Sequence, residues 1–327
     1  MSYQTHYDVV IIGAGPAGLE CAKGFIDSGK SVLVIEKKAV FGTKVCGGAV
    51  TFLADTFAIP DEITQIFPTI KVKINEKSFD LKLKKPIRTL IRHDFEQYMF
   101  EVLKSSENID VITGLKVEKI FDDRVVTKEG EFFYKTLVGA DGSDSIVRKF
   151  LGLKSEFRRG LQYHIANAEG NLEWAVFPEK TGSGYLWIFP NKRGVNVGIY
   201  FDEKRLNSKE AVQILNEFTA LSGLTIDGSK IGYGKIEHNY CGVEFGSVFL
   251  IGDAAGLPLK NTGEGIPGAL ISGREVAKKI VHKNYNMVEL KKYLKLKNRQ
   301  EMLLKVFEAI PFLQTFFFKL YGAYKKL

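Results

Sequence analysis

Apolar residues in the first forty positions form two short runs with a helical stretch between them. The run from Tyr7 to Ile12 is almost wholly apolar, and a second run from Ser31 to Ile35 ends on Glu36. Between them, apolar residues from Leu19 to Ser28 recur at the spacing of one helix face. The pattern therefore predicts a βαβ unit at the start of the chain.

Farther along, the pattern changes from continuous to alternating. Residues 69–85 alternate apolar and polar on both sides of Asn75-Glu76-Lys77, which predicts an antiparallel hairpin. Helices are predicted at 94–105, 208–221 and 265–281. Further strands are predicted at 110–112, 117–121, 125–127, 132–139, 173–177, 184–189, 194–201 and 247–251. Because no repeat or low-complexity linker separates these segments, we expect two interleaved layers.

A glycine-rich turn joins the first strand to the first helix. Its sequence, Gly13-Ala14-Gly15-Pro16-Ala17-Gly18, has the spacing of a dinucleotide-binding fingerprint. Such glycines permit a tight turn, close approach of the backbone to a pyrophosphate, and close packing of helix on strand. The helix N-terminus offers free N–H groups to phosphates, and Glu36 stands where a carboxylate accepts from a ribose hydroxyl. We expect a bound dinucleotide.

The composition narrows the class of protein only slightly. The 327 residues are 45% hydrophobic and 26% charged, with a net charge of +8, as in an ordinary globular protein. Lysines are spread along the chain, which indicates a solvated basic surface or weak attraction to an acidic partner. No nucleic-acid motif, long apolar run or signal-peptide pattern occurs. We therefore expect a cytoplasmic protein that does not bind nucleic acid.

The cysteines and histidines indicate no metal site. Cys21, Cys46 and Cys241 are odd in number and far apart, which fits neither a disulfide framework nor a zinc motif. The five histidines show no paired ligand spacing. The thiol of Cys46, which precedes Gly47 and Gly48, remains unassigned by this argument.

Two further glycine-aspartate segments follow the fingerprint in chain order. They are Gly139-Ala140-Asp141-Gly142 and Gly252-Asp253-Ala254-Ala255-Gly256. The trio resembles the FAD-dependent class typified by p-hydroxybenzoate hydroxylase, which implies that the dinucleotide is FAD. A second carboxylate at a strand end suits the several hydroxyls of a ribityl chain.

Three shorter segments narrow the resemblance. Tyr185-Leu186-Trp187-Ile188-Phe189-Pro190 is similar to the YxWxFP motif of the geranylgeranyl reductase family. Cys46-Gly47-Gly48 and Thr262-Gly263-Glu264-Gly265-Ile266 are similar to two more segments of that family. The resemblance implies an FAD-dependent reductase that saturates C=C bonds of geranylgeranyl or other polyprenyl groups on lipids or prenyl pyrophosphates.

The motifs and the resemblance together imply a set of site residues. Those expected to bind the cofactor are Gly13, Gly15, Ala17, Gly18, Glu36, Lys37, Cys46, Gly47, Gly48, Ala49, Arg92, Val117, Asp141, Gly142, Gly252, Asp253, Gly263, Gly265 and Ile266. Strand alternation sends Tyr185, Trp187 and Phe189 to one face, where the resemblance favours an apolar substrate channel over a core-facing aromatic stripe. Cys46 either donates a proton to the alkene or only shapes the space beside the flavin.

The expected fold is α/β, with a Rossmann-like FAD-binding domain interleaved with a substrate domain. The FAD-binding domain has a parallel sheet and takes residues 1–50, 86–158 and 236–300. The substrate domain has an antiparallel sheet and takes residues 51–85 and 159–235. Residues 301–327 form a C-terminal helical tail, which closes the substrate domain or lies on a membrane surface as a peripheral contact.

Other functions remain open at this point. The same scaffold serves flavin monooxygenases of apolar or aromatic substrates, and a flavin protein passing electrons to a membrane partner would carry the same cofactor motifs. No second GxGxxG follows a strand after residue 36. We therefore expect an external reductant, either ferredoxin or a transiently docked NAD(P)H.

Overall fold

A computed structural model describes residues 4–309 of the chain. The strands are β1 His6–Ile12, β2 Val32–Glu36, β3 Ala49–Val50, β4 Thr64–Ile74, β5 Lys77–Leu90, β6 Ile109–Thr113, β7 Val117–Ile120, β8 Arg124–Thr127, β9 Gly130–Gly139, β10 Phe157–Ala166, β11 Glu173–Val176, β12 Tyr185–Asn191, β13 Gly194–Phe201, β14 Gly232–Glu237, β15 Glu244–Phe245 and β16 Val248–Leu250. The helices are α1 Pro16–Lys23, α2 Arg92–Leu103, α3 Ile146–Phe150, α4 Pro178–Thr181, α5 Ser208–Leu221, α6 Ile266–Val281 and α7 Val288–Ala309.

The first sheet has a parallel centre. Its strand order is β15-β16-β9-β1-β2-β6, and β8 and β7 extend it from β9. Val10 in β1 lies between Leu33 of β2 and Leu137 of β9, all three almost fully buried. Because both faces of these strands are covered, their continuous apolar runs are what a buried parallel sheet requires.

Helices α1 and α6 cross closely on one face of this sheet. A Cβ at Gly273 of α6 would lie 2.5 Å from the carbonyl oxygen of Ala17 in α1. A Cβ at Gly24, just after α1, would lie 2.5 Å from the Cβ of Ala277. The glycines therefore permit a helix separation that any larger residue would prevent.

The second sheet has the order β14-β10-β13-β12-β11-β4-β5-β3. Its pairs are antiparallel except β4 with β11, which run parallel. One face packs on α5, where Leu186, Ile188 and Ile199 share a core with Leu215 and Phe218. The opposite face is left to cover the ends of the first sheet.

The structure confirms an α/β fold with one mainly parallel and one mainly antiparallel sheet. The predicted hairpin is longer than expected, since β4 and β5 run from Thr64 to Leu90 around the two-residue loop Asn75-Glu76. Asn75 has a φ of 51°, which asparagine tolerates better than most residues. Strand β5 thus crosses the boundary predicted at residues 85 and 86.

Several elements differ from the predicted ones. Helix α1 begins at Pro16 and ends at Lys23, because Pro favours the first helical position and Gly24 ends the helix. Strands β10 and β14 carry Gly160, Gly232 and Gly234 among charged residues, and this hid their strand character. Neighbouring strands hold them in the sheet, which is a tertiary effect.

The end of the chain is only partly described. Helix α7 includes residues 301–309 of the predicted C-terminal tail, and residues 310–327 of that tail lie outside the described residues. Within residues 4–309, no helix is both long and apolar enough to cross a bilayer.

Candidate active site

A cavity of about 1050 Å³ lies between the two sheets, at the carboxyl ends of β1, β2 and β9. In parallel α/β sheets this edge is where ligands bind. All predicted site residues except Gly18 line the cavity. We call the part lined by Gly13, Gly15, Glu36, Lys37, Val117, Asp141 and Gly142 the glycine-rich end, and the part lined by Ile70, Ile87, Trp174, Trp187 and Phe189 the aromatic end.

The three fingerprint glycines meet three different steric demands. Gly13 has a φ of 104°, and a Cβ there would lie 2.4 Å from the carbonyl oxygen of Ala140. A Cβ at Gly18 would lie 1.9 Å from the carbonyl oxygen of Gly13, which explains why Gly18 packs behind the turn rather than lining the cavity. A Cβ at Gly15 would meet nothing closer than 3.4 Å, and its backbone faces open space. Only Gly15 is therefore free of a packing constraint.

Glu36 ties the glycine-rich turn to the end of β2. Its Oε2 accepts the backbone N–H of Ala14 at 2.8 Å, and its Oε1 accepts the N–H of Lys38 at 2.9 Å. Each carboxylate oxygen has further lone pairs that these bonds leave free. The exposed Lys37 lies beside it at the rim of the cavity.

Asp141 caps helix α3 with one oxygen and leaves the other unused. Its Oδ2 accepts the N–H of Ile146 at 2.6 Å, whereas Oδ1 is buried without a hydrogen-bond partner among the described residues. Burial raises the pKa of this carboxyl. A buried acceptor without a donor raises the free energy of the folded protein. A ligand hydroxyl that donated to Oδ1 would remove this cost.

Asp253 has two donors on a single oxygen. Lys44 Nζ lies 2.5 Å from its Oδ2, and Ser143 Oγ donates to the same atom at 2.9 Å. Burial alone would raise the pKa of Asp253, but the Lys44 ammonium and the Ser143 hydroxyl outweigh it and hold the pKa below its usual range. Asp253 is therefore a charged carboxylate in the cavity.

Arg92 begins helix α2 and forms a partly buried ion pair with Glu96, one turn later. The second oxygen of Glu96 accepts the N–H of Gly42 at 2.6 Å. Burial opposes the charge of Arg92, but the Glu96 carboxylate more than offsets this and raises the pKa of the guanidinium. The pair fixes a permanent cation at the cavity wall and anchors the loop that leads to Cys46.

The Cys46-Gly47-Gly48 loop lies directly on the aromatic end. A Cβ at Gly47 would lie 3.1 Å from the Phe189 ring and 3.3 Å from Trp187 Nε1. Asn196 Nδ2 donates to the carbonyl oxygen of Gly47 at 3.1 Å, and a weaker contact reaches that of Cys46 at 3.4 Å. The half-buried thiol faces the cavity between the two ends.

The aromatic end is a continuous row of contacting rings on the second sheet, of which Trp187 and Phe189 are stacked. Ring centroids are 5.8 Å apart from Trp174 to Tyr185, from Tyr185 to Trp187, and from Trp187 to Phe189. The Trp187 indole packs against Gly198, where a Cβ would come within 2.2 Å of the ring. Its Nε1 is buried without a hydrogen-bond partner among the described residues. Leu186 and Ile188 point into the opposite core.

Comparisons with known proteins agree with this geometry. Residues 7–174 match the pyridine nucleotide-disulphide oxidoreductase family model. The digeranylgeranylglycerophospholipid reductase of Methanococcus vannielii is 30% identical over 321 residues, covering 88% of this chain and 81% of the relative. Digeranylgeranylglycerophospholipid reductase 3 of Methanosphaera stadtmanae is also 30% identical, with the same coverage of both chains. The chain belongs to the geranylgeranyl reductase family.

A solved structure supports the fold of this geranylgeranyl reductase family member. It is a geranylgeranyl bacteriochlorophyll reductase-like protein from Thermoplasma acidophilum, with a TM-score of 0.76 and 22% identity. The match covers 90% of this chain and 84% of that one. The predicted family, fold class and enzyme class are confirmed: the protein is a flavin-dependent oxidoreductase.

Sequence reasoning missed several residues of this family member's cavity. No role is assigned to Lys44, Ser143 and Trp174 from the sequence alone, although all three line the cavity. Lys44 and Ser143 pair with an aspartate more than a hundred positions away, which no local pattern reveals. Trp174 lies in a predicted strand whose face depends on the unexpected parallel pairing with β4.

Glu264 is a further missed residue, and it lies inside a motif that was recognised. It is half-buried and lines the cavity between Gly263 and Gly265, and its Oε1 accepts the N–H of Thr51 at 3.0 Å. Burial raises the pKa of Glu264 above its usual range. A charged Asp253 and a carboxyl that resists ionisation thus share one cavity.

Proposed function

We propose that this protein is an FAD-dependent reductase that saturates C=C bonds of geranylgeranyl or other polyprenyl groups carried by lipids or prenyl pyrophosphates. The observation that carries the proposal is the cavity itself, whose glycine-rich end and aromatic end meet at the loop of Cys46. Such a cavity brings a dinucleotide-derived cofactor and an apolar chain into contact. The names of the relatives from Methanococcus vannielii and Methanosphaera stadtmanae support the substrate class.

The residues at the glycine-rich end fit FAD. Asp141 Oδ1 is buried and unpaired, and the ribose and ribityl hydroxyls of FAD are donors that would satisfy it. The backbone at Gly15 is open, which permits a pyrophosphate to approach. Glu36 retains lone pairs for a ribose hydroxyl beyond its bonds to Ala14 and Lys38.

The proposed cofactor site consists of all the residues predicted to bind the cofactor except Gly18, which does not line the cavity. Helix α6 begins at Ile266 after Gly265, and its free N–H groups favour negative charge on a bound group. Arg92 adds a permanent cation nearby. A bound flavin, when reduced, supplies the hydride for alkene reduction. Together these residues stabilise the negatively charged form of such a cofactor.

The aromatic end is proposed to hold the prenyl chain. Trp174, Tyr185, Trp187 and Phe189 offer ring faces to isoprene units, and Ile70 and Ile87 complete an apolar wall. Burial of an apolar chain against such a wall is favourable without hydrogen bonds. The wall also excludes water, which limits unproductive reactions of a reduced cofactor.

Anaerobic turnover tests the proposal directly. The protein reconstituted with FAD and reduced with dithionite is incubated with geranylgeranyl pyrophosphate and, separately, with digeranylgeranyl glycerophospholipid. Mass spectrometry is expected to show a gain of two hydrogen atoms for each saturated bond. Absence of any gain from both substrates, with FAD bound, would overturn the proposal.

Two alternatives give different results in the same assay. A monooxygenase would form an oxygenated product only after oxygen is admitted, and an electron-transfer protein would reduce dyes or quinones without altering any prenyl group. The external reductant is proposed to be ferredoxin or NAD(P)H. Replacing dithionite with each in turn, and monitoring bleaching of the flavin absorbance, identifies which one serves.

Peripheral contact with a membrane is also proposed. Met302, Leu303 and Val306 are exposed on the last turns of α7, beside Lys305. Exposed apolar residues with adjacent lysines suit an anionic bilayer surface. Co-sedimentation with phosphatidylglycerol vesicles, weakened in Leu303→Glu, would support the contact, and equal recovery with and without vesicles would refute it.

A further inference from the structure

Glu264 is a carboxylic acid in the cavity that has no role in the reduction as proposed above. Its carboxyl lines the cavity and has the Thr51 N–H as a hydrogen-bond donor at 3.0 Å. Within residues 4–309, no lysine, arginine or histidine forms an ion pair with it. A carboxyl placed in this way is held by a neutral donor rather than neutralised by a cation.

The segment that carries Glu264 is fastened to the aromatic wall. Tyr185 donates its hydroxyl hydrogen to the carbonyl oxygen of Thr262 at 2.5 Å. Gly263 has a φ of 67°, and a Cβ there would lie 2.9 Å from the Tyr200 ring. The glycine therefore lets the segment lie against the ring, and the next residue, Glu264, reaches the cavity beside the proposed prenyl site.

The contrast with Asp253 gives the two acids different roles. Lys44 and Ser143 keep Asp253 ionised, whereas Glu264 has no cation and burial disfavours its charge. When the surroundings of two carboxyls in one site shift their pKa values in opposite directions, one of the two commonly acts as a general acid. An isolated alkene accepts a hydride only if a proton is delivered with it or before it. The thiol of Cys46 also lines the cavity and is a second group that carries a proton.

We propose that Glu264 is a catalytic residue that donates the proton to the alkene carbon opposite the one receiving the hydride. The inference rests on the proposed function. One hydride comes from the reduced flavin, one proton comes from the Glu264 carboxyl, the π bond breaks and two C–H bonds form. The alkene is reduced, the flavin is oxidised, and the Glu264 carboxylate then recovers a proton from water.

Several titratable and charged groups lie around this carboxyl. Tyr185 of β12 and Tyr293 of α7 interact electrostatically with it. Asp253 at the end of β16, Tyr200 of β13, and Cys46 and Lys44 of the loop before β3 line the same cavity. Burial raises the pKa of all three tyrosines, and Asp253 is already paired with Lys44. None of the tyrosines therefore competes with Glu264 as an acid near neutral pH.

The substitution Glu264→Gln tests the inference because an amide oxygen still accepts from Thr51 but the acidic proton is gone. With dithionite-reduced enzyme we expect kcat to fall about 100-fold or more, with KM within about twofold and an unchanged flavin spectrum. In the wild type, kcat should decline as pH rises through the pKa of Glu264, and this decline should vanish in the variant. Glu62→Gln, an exposed acid on the far side of Thr51, is the matched control and should match the wild type.

A second measurement does not depend on turnover. Because the folded-state pKa of Glu264 is raised, its contribution to stability is fully present below the unfolded pKa of about 4.3 and is lost as pH rises through the folded pKa. The Tm of Glu264→Gln relative to wild type should therefore increase with pH. The wild-type-minus-variant infrared difference spectrum should show a protonated carboxyl C=O band at low pH that disappears as pH rises through the pKa of Glu264.

The possible failures are distinguishable. If the wild type saturates no prenyl substrate, the proposed function itself fails. If the wild type is active and Glu264→Gln retains its kcat and pH profile, only this inference fails. If the descending limb of the pH profile disappears in Cys46→Ala but persists in Glu264→Gln, the thiol is the donor and the inference is overturned.

Discussion

The glycine-rich end and the aromatic end of the cavity are built in opposite ways. At the glycine-rich end the backbone faces the cavity, and side chains such as Glu36 and Asp141 are partly occupied in holding that backbone. At the aromatic end side chains face the cavity, with Gly47 packed against Phe189 and Gly198 packed against Trp187. Glycine thus exposes main chain in one place and seats aromatic side chains in the other.

The difference follows from what each end is proposed to bind. Phosphates and hydroxyls need directed hydrogen bonds, which backbone N–H groups and carboxylates supply. A prenyl chain needs apolar contact area but no directed hydrogen bonds, and the aromatic rings supply that area. Substitutions at the two ends should therefore separate flavin binding from substrate turnover.

The largest effect is expected from Gly18→Ala. Its new Cβ would lie 1.9 Å from the carbonyl oxygen of Gly13, so the helix must move, at a cost of about 3 kcal/mol in the free energy of unfolding. We expect a lower Tm and a protein isolated without flavin. Gly15→Ala is the control, because its Cβ has room. That variant should keep its Tm and bind flavin more weakly, and a normal flavin Kd for Gly15→Ala would contradict backbone recognition of the cofactor.

Trp187→Ala should affect the aromatic end alone. Loss of the central ring should lower kcat/KM for a prenyl substrate by roughly 10- to 100-fold. Flavin content should stay at the wild-type level, since Trp187 is not among the residues proposed to bind the cofactor. Leu186→Ala, which is on the opposite face of the same strand, is the matched control and should lower Tm instead. Loss of flavin from Trp187→Ala would mean that the two ends are not separate.

Asp253→Asn should weaken flavin binding by about tenfold, because one charge-assisted hydrogen-bonding site is lost. Its pH dependence should differ from that of Glu264→Gln. The folded-state pKa of Asp253 is lowered, so its stabilisation is present above the unfolded pKa and is lost as pH falls through the folded pKa. The Tm gap between wild type and Asp253→Asn should therefore close in acid. A gap that stays constant down to strongly acidic pH would show that the charge is not involved.

The smallest effect is expected from Cys46→Ser. The backbone of the loop, held by Asn196 and by the fit of Gly47 against Phe189, should survive the change. Flavin content should be unchanged and turnover should stay within about threefold of wild type. A loss of tenfold or more with flavin retained would place the thiol in the chemistry.

Features that depend on nearby residues could be predicted from the sequence, whereas contacts between distant segments could not. The fingerprint turn, the strand ends at Glu36 and Asp253, and the face shared by Tyr185, Trp187 and Phe189 follow from spacing along the chain. The bond from Lys44 to Asp253 and the parallel pairing of β4 with β11 do not. Both depend on which segments the two sheets bring together.

Local spacing predicted the two kinds of sheet, and the resemblance of short motifs indicated the family. All but one of the predicted site residues line the cavity, because each motif is a steric rule that acts within a few residues. The tertiary structure decided how the acids behave. Asp253 and Glu264 stand eleven residues apart in sequence. The Lys44 ammonium and the Ser143 hydroxyl lower the pKa of Asp253, whereas burial raises the pKa of Glu264. Desolvation and charge pairing act through space, so the roles of the two carboxyls appear only when the sheets have closed over them.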